Sequence, residues 1–311
     1  MSAPGSPHLL VVGGANVDFC MDLPTLPAPG ETVPTETYRR TFGGKGANAA
    51  VAAALAGGRV SFVGCVGRDV FGEEIGAQLR SKGIDTTHLE YHPTVPTGAA
   101  FIFVDNRGQN IIGVALGANN QLTPARIDAL RSVIREAAIL LVQNEIPEET
   151  VTRLLTLAKE EPVRVLYNCA PARKVPLSLL ATVEWLVLNE SEAAFISGLP
   201  VANREEAEIA VRRLLGDGIR NVLITLGAGG VCAGNAGEIF HVPAYSVQAV
   251  DTVAAGDIFC GALAVACSEG QPLPAAIRFA SAAAAISVTR SGAQTSAPTR
   301  AEIDRLFQAG H

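Results

Sequence analysis

Short apolar runs bounded by glycine alternate along this chain with longer stretches of helical periodicity. Residues 9–13 are apolar and end in glycines, the mark of a buried strand. The Ala-rich stretch 47–56 opens after Gly43-Gly44-Lys45-Gly46 and stops at Gly57-Gly58, which predicts a helix. A strand over 59–66 and a helix over 70–82, closed by Gly83, follow. From Pro124 the alternation is regular: helix to Ala137, strand 139–143, helix 147–160 and strand 163–167. It continues with strand 183–188, helix 204–216, strand 221–226 and two short strands around Val231 and Ile239. Helices from Gly256 and from Pro274 end the series. Strands alternating with helices argue for an α/β fold, a mostly parallel central sheet flanked by helices on both faces.

Two stretches break this rhythm. Residues 31–42 alternate and are β-prone after a turn at Gly30. Segments 97–105 and 109–116 read as strands flanking Asn106-Arg107-Gly108, a hairpin signal. They suit a small β-layer at the sheet edge better than a place in a parallel sheet. No repeat or low-complexity linker marks a boundary, so one domain over 1–311 is expected, with a β-lid at about 16–42 and 97–116.

Composition narrows the function classes. The 311 residues are 48% hydrophobic, enough to bury a large core. With 24 basic against 30 acidic residues, the net charge of −6 attracts no nucleic acid. An anionic ligand must then be held by a local positive site of backbone N–H groups and metal ions. Six scattered cysteines without a C-x-x-C pair read as reduced thiols of a cytoplasmic protein, and no histidine has zinc-ligand spacing to them. Met1 to Pro7 lacks the basic and apolar regions of a leader peptide. The most apolar stretch, 275–288, contains Arg278 and is closed by Arg290, so it reads as a packed internal helix with no membrane span.

Three glycine-rich segments carry candidate chemistry. In Asp251-Thr252-Val253-Ala254-Ala255-Gly256-Asp257 the small residues let backbone approach a ligand where a helix begins, which suits phosphate. There Asp257 can orient an attacking hydroxyl and take its proton late; its alternative role is a helix N-cap. Thr41-Phe42-Gly43-Gly44-Lys45-Gly46-Ala47-Asn48 is not a Walker A loop, but its glycines permit close approach while Lys45 and Asn48 donate hydrogen bonds; alternatively it is a strand-to-helix turn with a solvated Lys. In Gly13-Gly14-Ala15-Asn16-Val17-Asp18, Asp18 can accept from the two hydroxyls of a sugar diol, or serve only as a turn residue. Glu145, Asn189 and Glu192 fall at strand ends, and Glu192 can hold a water of hydrated Mg²⁺; each is otherwise surface polar. Thr225-Leu226-Gly227-Ala228-Gly229-Gly230 either wraps a nucleotide or makes a hairpin.

Together these segments resemble the ribokinase group of the phosphofructokinase-B family of sugar kinases. The two family signatures correspond to 43–48 and 251–257, and the likeness runs nearly end to end. The resemblance implies transfer of the γ-phosphoryl group of ATP to a sugar hydroxymethyl, which in ribokinases yields ribose 5-phosphate from D-ribose. Carried over by position, Asn16, Asp18, Gly44, Lys45, Gly46, Ala47, Asn48 and Glu145 would hold the pentose, and Asp257 would be the base. Ala254, Ala255 and Gly256 would supply the anion hole. Asn189, the run Thr225, Leu226, Gly227, Ala228, Gly229, Gly230, and Ser281 would line the ATP site, with Glu192 acting on Mg²⁺ through water.

The resemblance also implies a K⁺ site formed by Asp251 with oxygens of Val253, Ser287, Arg290, Gly292 and Ser296. It further implies a homodimer joined through the β-lid. Three positions depart from the commoner family pattern: Ala254 stands where Gly is frequent, Ser281 where Asn or His is frequent, and Ala49 where ribokinases often carry Gln. A kinase of a related furanose such as deoxyribose or a nucleoside, or a non-catalytic sugar or nucleotide binder, are the alternatives.

Overall fold

Thirteen strands form two separate sheets in the computed structural model, which describes residues 7–310. In chain order they are β1 (His8–Val12), β2 (Asn16–Leu23), β3 (Arg39–Gly43), β4 (Arg59–Gly67), β5 (Leu89–His92), β6 (Gly98–Asp105) and β7 (Asn110–Ala115). Then come β8 (Ile139–Val142), β9 (Arg164–Asn168), β10 (Trp185–Asn189), β11 (Val222–Thr225), β12 (Val231–Gly234) and β13 (Ile239–Val242). The expectation about a leader at residues 1–6 lies outside the described residues.

Nine strands make the large sheet in the order β13-β12-β11-β10-β9-β8-β1-β4-β5, parallel except for the two pairings of β12. Strand β1, paired on both edges by β8 and β4, shows why both faces must be covered. Leu9 and Val11 join one core, with helices Lys45–Leu55, Ala255–Ser268 and Leu273–Val288. Leu10 and Val12 point the other way, into a core with helices Glu148–Glu160 and Arg204–Gly216. The apolar stretch at 275–288 is indeed a buried helix, Leu273–Val288. Among the described residues no helix is long and apolar enough to cross a membrane.

One helix contact governs the site. A Cβ at Gly261 would lie 2.4 Å from Ala49 O and 2.9 Å from the Ala52 Cβ. Only glycine lets Ala255–Ser268 lie this close to Lys45–Leu55, and that approach brings the first turns of the two helices together.

The small sheet runs β3-β2-β6-β7, with β2 and β6 parallel and the outer pairings antiparallel. The hairpin at 106–108 is present: Asp105 accepts from the N–H groups of Arg107 and Gln109, and Gly108 takes φ +76°. The strand expected over 31–42 is confined to Arg39–Gly43, while Asn16–Leu23 supplies its partner. Pro24, Pro27, Pro29 and Pro34 deny the intervening chain the ladder donors a strand needs. The helix expected from Pro124 to Ala137 is two, Pro124–Ala129 and Arg131–Glu136, hinged at buried Leu130. Helices Glu190–Ser197 and Leu177–Leu180 are too short to show periodicity, and edge strand β5 too short to show alternation.

Candidate active site

Asp257 stands in the first turn of helix Ala255–Ser268 and is 5% exposed. The N-cap position belongs to Ala254, which makes no side-chain cap bond, so Asp257 is not spent on the helix end. Instead its Oδ2 accepts a hydrogen bond from Asn48 Nδ2 at 2.9 Å. Ala254 has φ 61°, the sole positive φ at a non-glycine among the described residues. That conformation costs roughly 1–2 kcal/mol for an L residue. It turns the chain sharply into the helix, whose first N–H groups lack intrahelical partners. Burial pushes the Asp257 carboxyl above its ordinary value, opposed by the charge of Lys45 and the bond from Asn48.

Glycines 43, 44 and 46 form a cradle because side chains there would strike what they hold. A Cβ on Gly43 would sit 2.0 Å from Asp18 Oδ2, one on Gly44 (φ +87°) 2.6 Å from Ala15 Cα, and one on Gly46 2.7 Å from Gly13. The Ala47 N–H donates to Gly14 O at 3.0 Å, so Gly46 and Ala47 pack on the 13–14 turn through backbone. Lys45 N–H donates to Glu145 Oε2 at 2.8 Å. Asn48 Oδ1 is buried without a hydrogen-bond partner, an acceptor suited to a ligand hydroxyl.

Asp18, Lys45, Asn48, Glu145 and Asp257 thus come from four distant segments to one place. Lys45 is held more firmly protonated, first by Asp257 and then by Glu145 and Glu192, against its own burial. Burial raises the Glu145 carboxyl despite Lys45. Burial, then the like charges of Glu145 and Asp257, lift Asp18 to about 7.

Asp18 therefore holds its proton more tightly in the folded chain than in the unfolded one, where the ordinary value is 3.8. The stability that this contributes is fully present below that value and is lost as pH rises through about 7. Asp18→Asn is expected to raise the Tm at pH 8, with the gain shrinking towards nothing near pH 4. A gain independent of pH in thermal melts would contradict the placement of the Asp18 carboxyl among like charges.

From Lys45 and Asp257 a cleft runs past Ala254 and Gly256 to Asn189, Glu192 and Thr225. It opens at the carboxyl ends of β9, β10 and β11, where parallel α/β sheets collect ligands. Asn189 and Glu192 form a capping box: Asn189 Oδ1 accepts from Glu192 N–H and Glu192 Oε2 from Asn189 N–H, both at 2.9 Å. Each carboxylate oxygen of Glu192 has more than one lone pair, so acceptor capacity remains. Of the run 225–230 only Thr225 lines the cleft. Leu226 is buried in the core, Gly227, Ala228 and Gly229 form an exposed turn, and Gly230 (φ +86°) packs on Val242 O. Ala255 begins the helix, and buried Ser281 keeps an unpartnered hydroxyl on helix Leu273–Val288.

Beyond Ala254, Asp251 ties two loops together. Its Oδ1 accepts from Val253 N–H and its Oδ2 from Gly292 N–H, both at 2.9 Å. Ser287 and Ser296 are buried at the end of the preceding helix and in the following turn, their hydroxyls donating to Ala284 O and Ala293 O. Ser287 O accepts from Arg290 N–H, and the Arg290 side chain pairs with Glu302.

Several contributors lie outside the glycine-rich segments. Gln143 Oε1 accepts from Glu145 N–H, and Arg173 donates to the carbonyls of Asn144 and Ile146, each at 3.0 Å. Together they fix the backbone on both sides of Glu145. Asn168 lines the cleft, and Asn119 is wholly buried beside Asn16. Their only sequence signal is a polar residue beside an apolar run.

Residues 6–300 match the pfkB family carbohydrate kinases. The chain is 40% identical to the ribokinase of Haemophilus influenzae over 94% of its length and 96% of that protein's. It is 35% identical to the deoxyribokinase of Salmonella typhi, over 94% of this chain and 95% of the other. Its fold is similar to the solved structure of Arabidopsis thaliana ribokinase complexed with ribose and ATP, with TM-score 0.91 and 33% identity, covering 97% and 99% of the two chains.

Proposed function

Since the chain belongs to the pfkB family of carbohydrate kinases, we propose that it phosphorylates D-ribose at the 5-hydroxyl with ATP, giving ribose 5-phosphate. The observation that carries this reading is the position of Asp257. Its carboxylate is buried, bonded to Asn48 in the sugar-side cluster, and set in the first turn of its own helix, where the N–H groups have no intrahelical partner. An alcohol is far too weak an acid to be deprotonated in advance; its proton leaves as the bond to phosphorus forms. Asp257 orients the hydroxyl and receives that proton. The amides at 254–256 and Lys45 meet the negative charge on the transferred group. Asn16, Asp18, Asn48 and Glu145 hold the sugar, while Asn189, Thr225 and Ser281 belong to the nucleotide side. The four-stranded sheet acts as the lid of a single kinase domain, excluding water on closure.

Two cations suit the donor sets. Glu192, buried beside the cleft with acceptor capacity left, fits a water of hydrated Mg²⁺, which supplies charge neutralisation at the phosphates. Around Asp251 the donors would all be oxygen: its carboxylate and oxygens of Val253, Ser287, Arg290, Gly292 and Ser296. That is a hard-cation set suited to K⁺, which adds positive field next to the anion hole. Replacing K⁺ by Na⁺ at constant ionic strength is expected to lower kcat markedly in the ADP-release assay. Equal rates in both salts would remove the cation from the account.

Strand β7 leaves Ile111, Ile112 and Val114 at least half exposed, and Phe101 on β6 is 44% exposed. These exposed apolar side chains, on both faces of the edge strand and its neighbour, support a homodimer joined through the lid. Six free thiols fit the reducing cytoplasm. A deoxyribose kinase is the second reading, favoured by the similarity to the deoxyribokinase. Coupled ADP release over ribose, deoxyribose, fructose and adenosine decides between them. Ribose should give the highest kcat/KM; faster deoxyribose turnover would replace it, and no release with any sugar would favour a binding protein.

A further inference from the structure

Four chain crossings join the small sheet to the body, near residues 13–16, 43–44, 97–98 and 115–117. Asn119, 0% exposed in the short helix Gly117–Gln121, touches three of them. Its Oδ1 accepts from Ala15 N–H at 2.9 Å. Its Nδ2 donates to Asn16 Oδ1 at 2.8 Å and to Leu116 O at 2.9 Å, with a longer 3.3 Å contact to Ala15 O. At the third crossing, a Cβ on Gly98 would lie 2.3 Å from Asn16 Oδ1 and 2.4 Å from Asn119 Nδ2. Glycine there leaves room for the amide pair.

This geometry fixes which way two amides face. A backbone N–H can only donate and a carbonyl can only accept, so Ala15 and Leu116 settle the orientation of Asn119. The atom of Asn16 opposite Asn119 Nδ2 must then be the acceptor Oδ1. What remains to Asn16 is its NH₂ group, which no hydrogen-bond partner among the described residues takes up. Asn16 and Asp18 are two apart on β2 and so share one sheet face, a donor and an acceptor side by side.

We propose that Asn119 is a positioning residue: it holds the Asn16 amide with N–H groups towards a sugar oxygen and seats the lid on the body. The sugar part rests on the kinase reading above. Without Asn119, Asn16 is free to present its carbonyl oxygen, and the sugar loses a donor.

The test uses the full-length protein. Asn119→Asp keeps the acceptor for Ala15 N–H and removes the donor to Asn16; Asn119→Ala, which buries no charge, accompanies it in case the first fails to fold. Either variant is expected to raise KM for ribose about tenfold, with kcat and KM for ATP within about threefold. In an Asn16→Ala background Asn119→Ala should raise that KM by less than about threefold, since the pair acts as a unit. Full additivity, or equal losses in kcat and both KM values, would overturn the positioning role. Hydrogen exchange gives a reading that needs no substrate: the Ala15 amide should exchange faster in Asn119→Ala while Val11 and Leu141 keep their protection. Unchanged exchange at Ala15 would sink the proposal even if ribose is turned over. A wild type that turns over no sugar, with exchange at Ala15 accelerated in the variant, would fault the kinase reading and leave the lid seat standing.

Discussion

Replacing Asp257 by Asn is expected to cut kcat about 10³-fold while KM for ribose moves less than about threefold. The amide has the volume of the carboxyl, and its oxygen can keep the 2.9 Å bond from Asn48 Nδ2, so the sugar side stays assembled. What is lost is the group that takes the hydroxyl proton as the phosphorus bond forms. General acid–base steps contribute about 10²–10⁴-fold, and a buried base with no other carboxylate in bonding contact lies towards the upper part of that range. Steady-state kinetics on the variant, with its Tm as a control, supply the check. A near-normal kcat would strip Asp257 of the role. A KM that rises as kcat falls would mean that Asp257 mainly binds sugar.

Lys45→Met should lose about 10²-fold or more in kcat near neutral pH, and the loss should depend on pH. Lys45 is the cation that Asp257, Glu145 and Glu192 all act upon, with Asp257 first. In turn it holds the Asp257 carboxyl below the value that burial alone would impose. Without it Asp257 meets the carboxyls of Glu145 and Glu192 with no counter-charge, and all are driven towards the protonated form. The sign is then fixed. The carboxylate of Asp257 forms only at higher pH in the variant, so the acid limb of its kcat profile moves upward. The deficit against the wild type narrows as pH rises, down to the part owed to lost attraction for phosphate. A deficit constant from pH 6 to 9 would show that Lys45 contacts the nucleotide but does not tune the base.

How much of this site was open to reading from the chain depended on glycine. Where a side chain was forbidden by a close neighbour, as at Gly43 against Asp18 or Gly44 against Ala15, the omission itself marked a site. That segment carried Lys45 and Asn48 with it, while Asp257 was marked by the run of small residues before it. The main sheet was equally legible, because strands such as β1 and β8 are apolar on both faces and separated by long amphipathic helices. Residues 31–38 misled because their alternation suits a strand, while the prolines before and within them deny its hydrogen bonds. Leu226 and Gly227 to Gly229 follow the pattern of a nucleotide loop and sit at the turn between β11 and β12, next to Thr225 on the cleft wall. Gln143, Arg173 and Asn119 gave no stronger local signal than a polar residue beside an apolar run. Each acts on backbone atoms of another segment, and Asn119 lies 104 residues from the Ala15 N–H it accepts from.

Identification of the product tests the central claim most directly. Incubating the wild-type protein with ATP, Mg²⁺, K⁺ and ribose and following the mixture by ³¹P NMR should show one ADP formed per sugar phosphate. The new phosphorus signal should couple to the two methylene protons of C5. Phosphorus on a ring hydroxyl, or ADP with inorganic phosphate alone, would contradict an account in which Asp257 delivers the 5-hydroxyl to ATP.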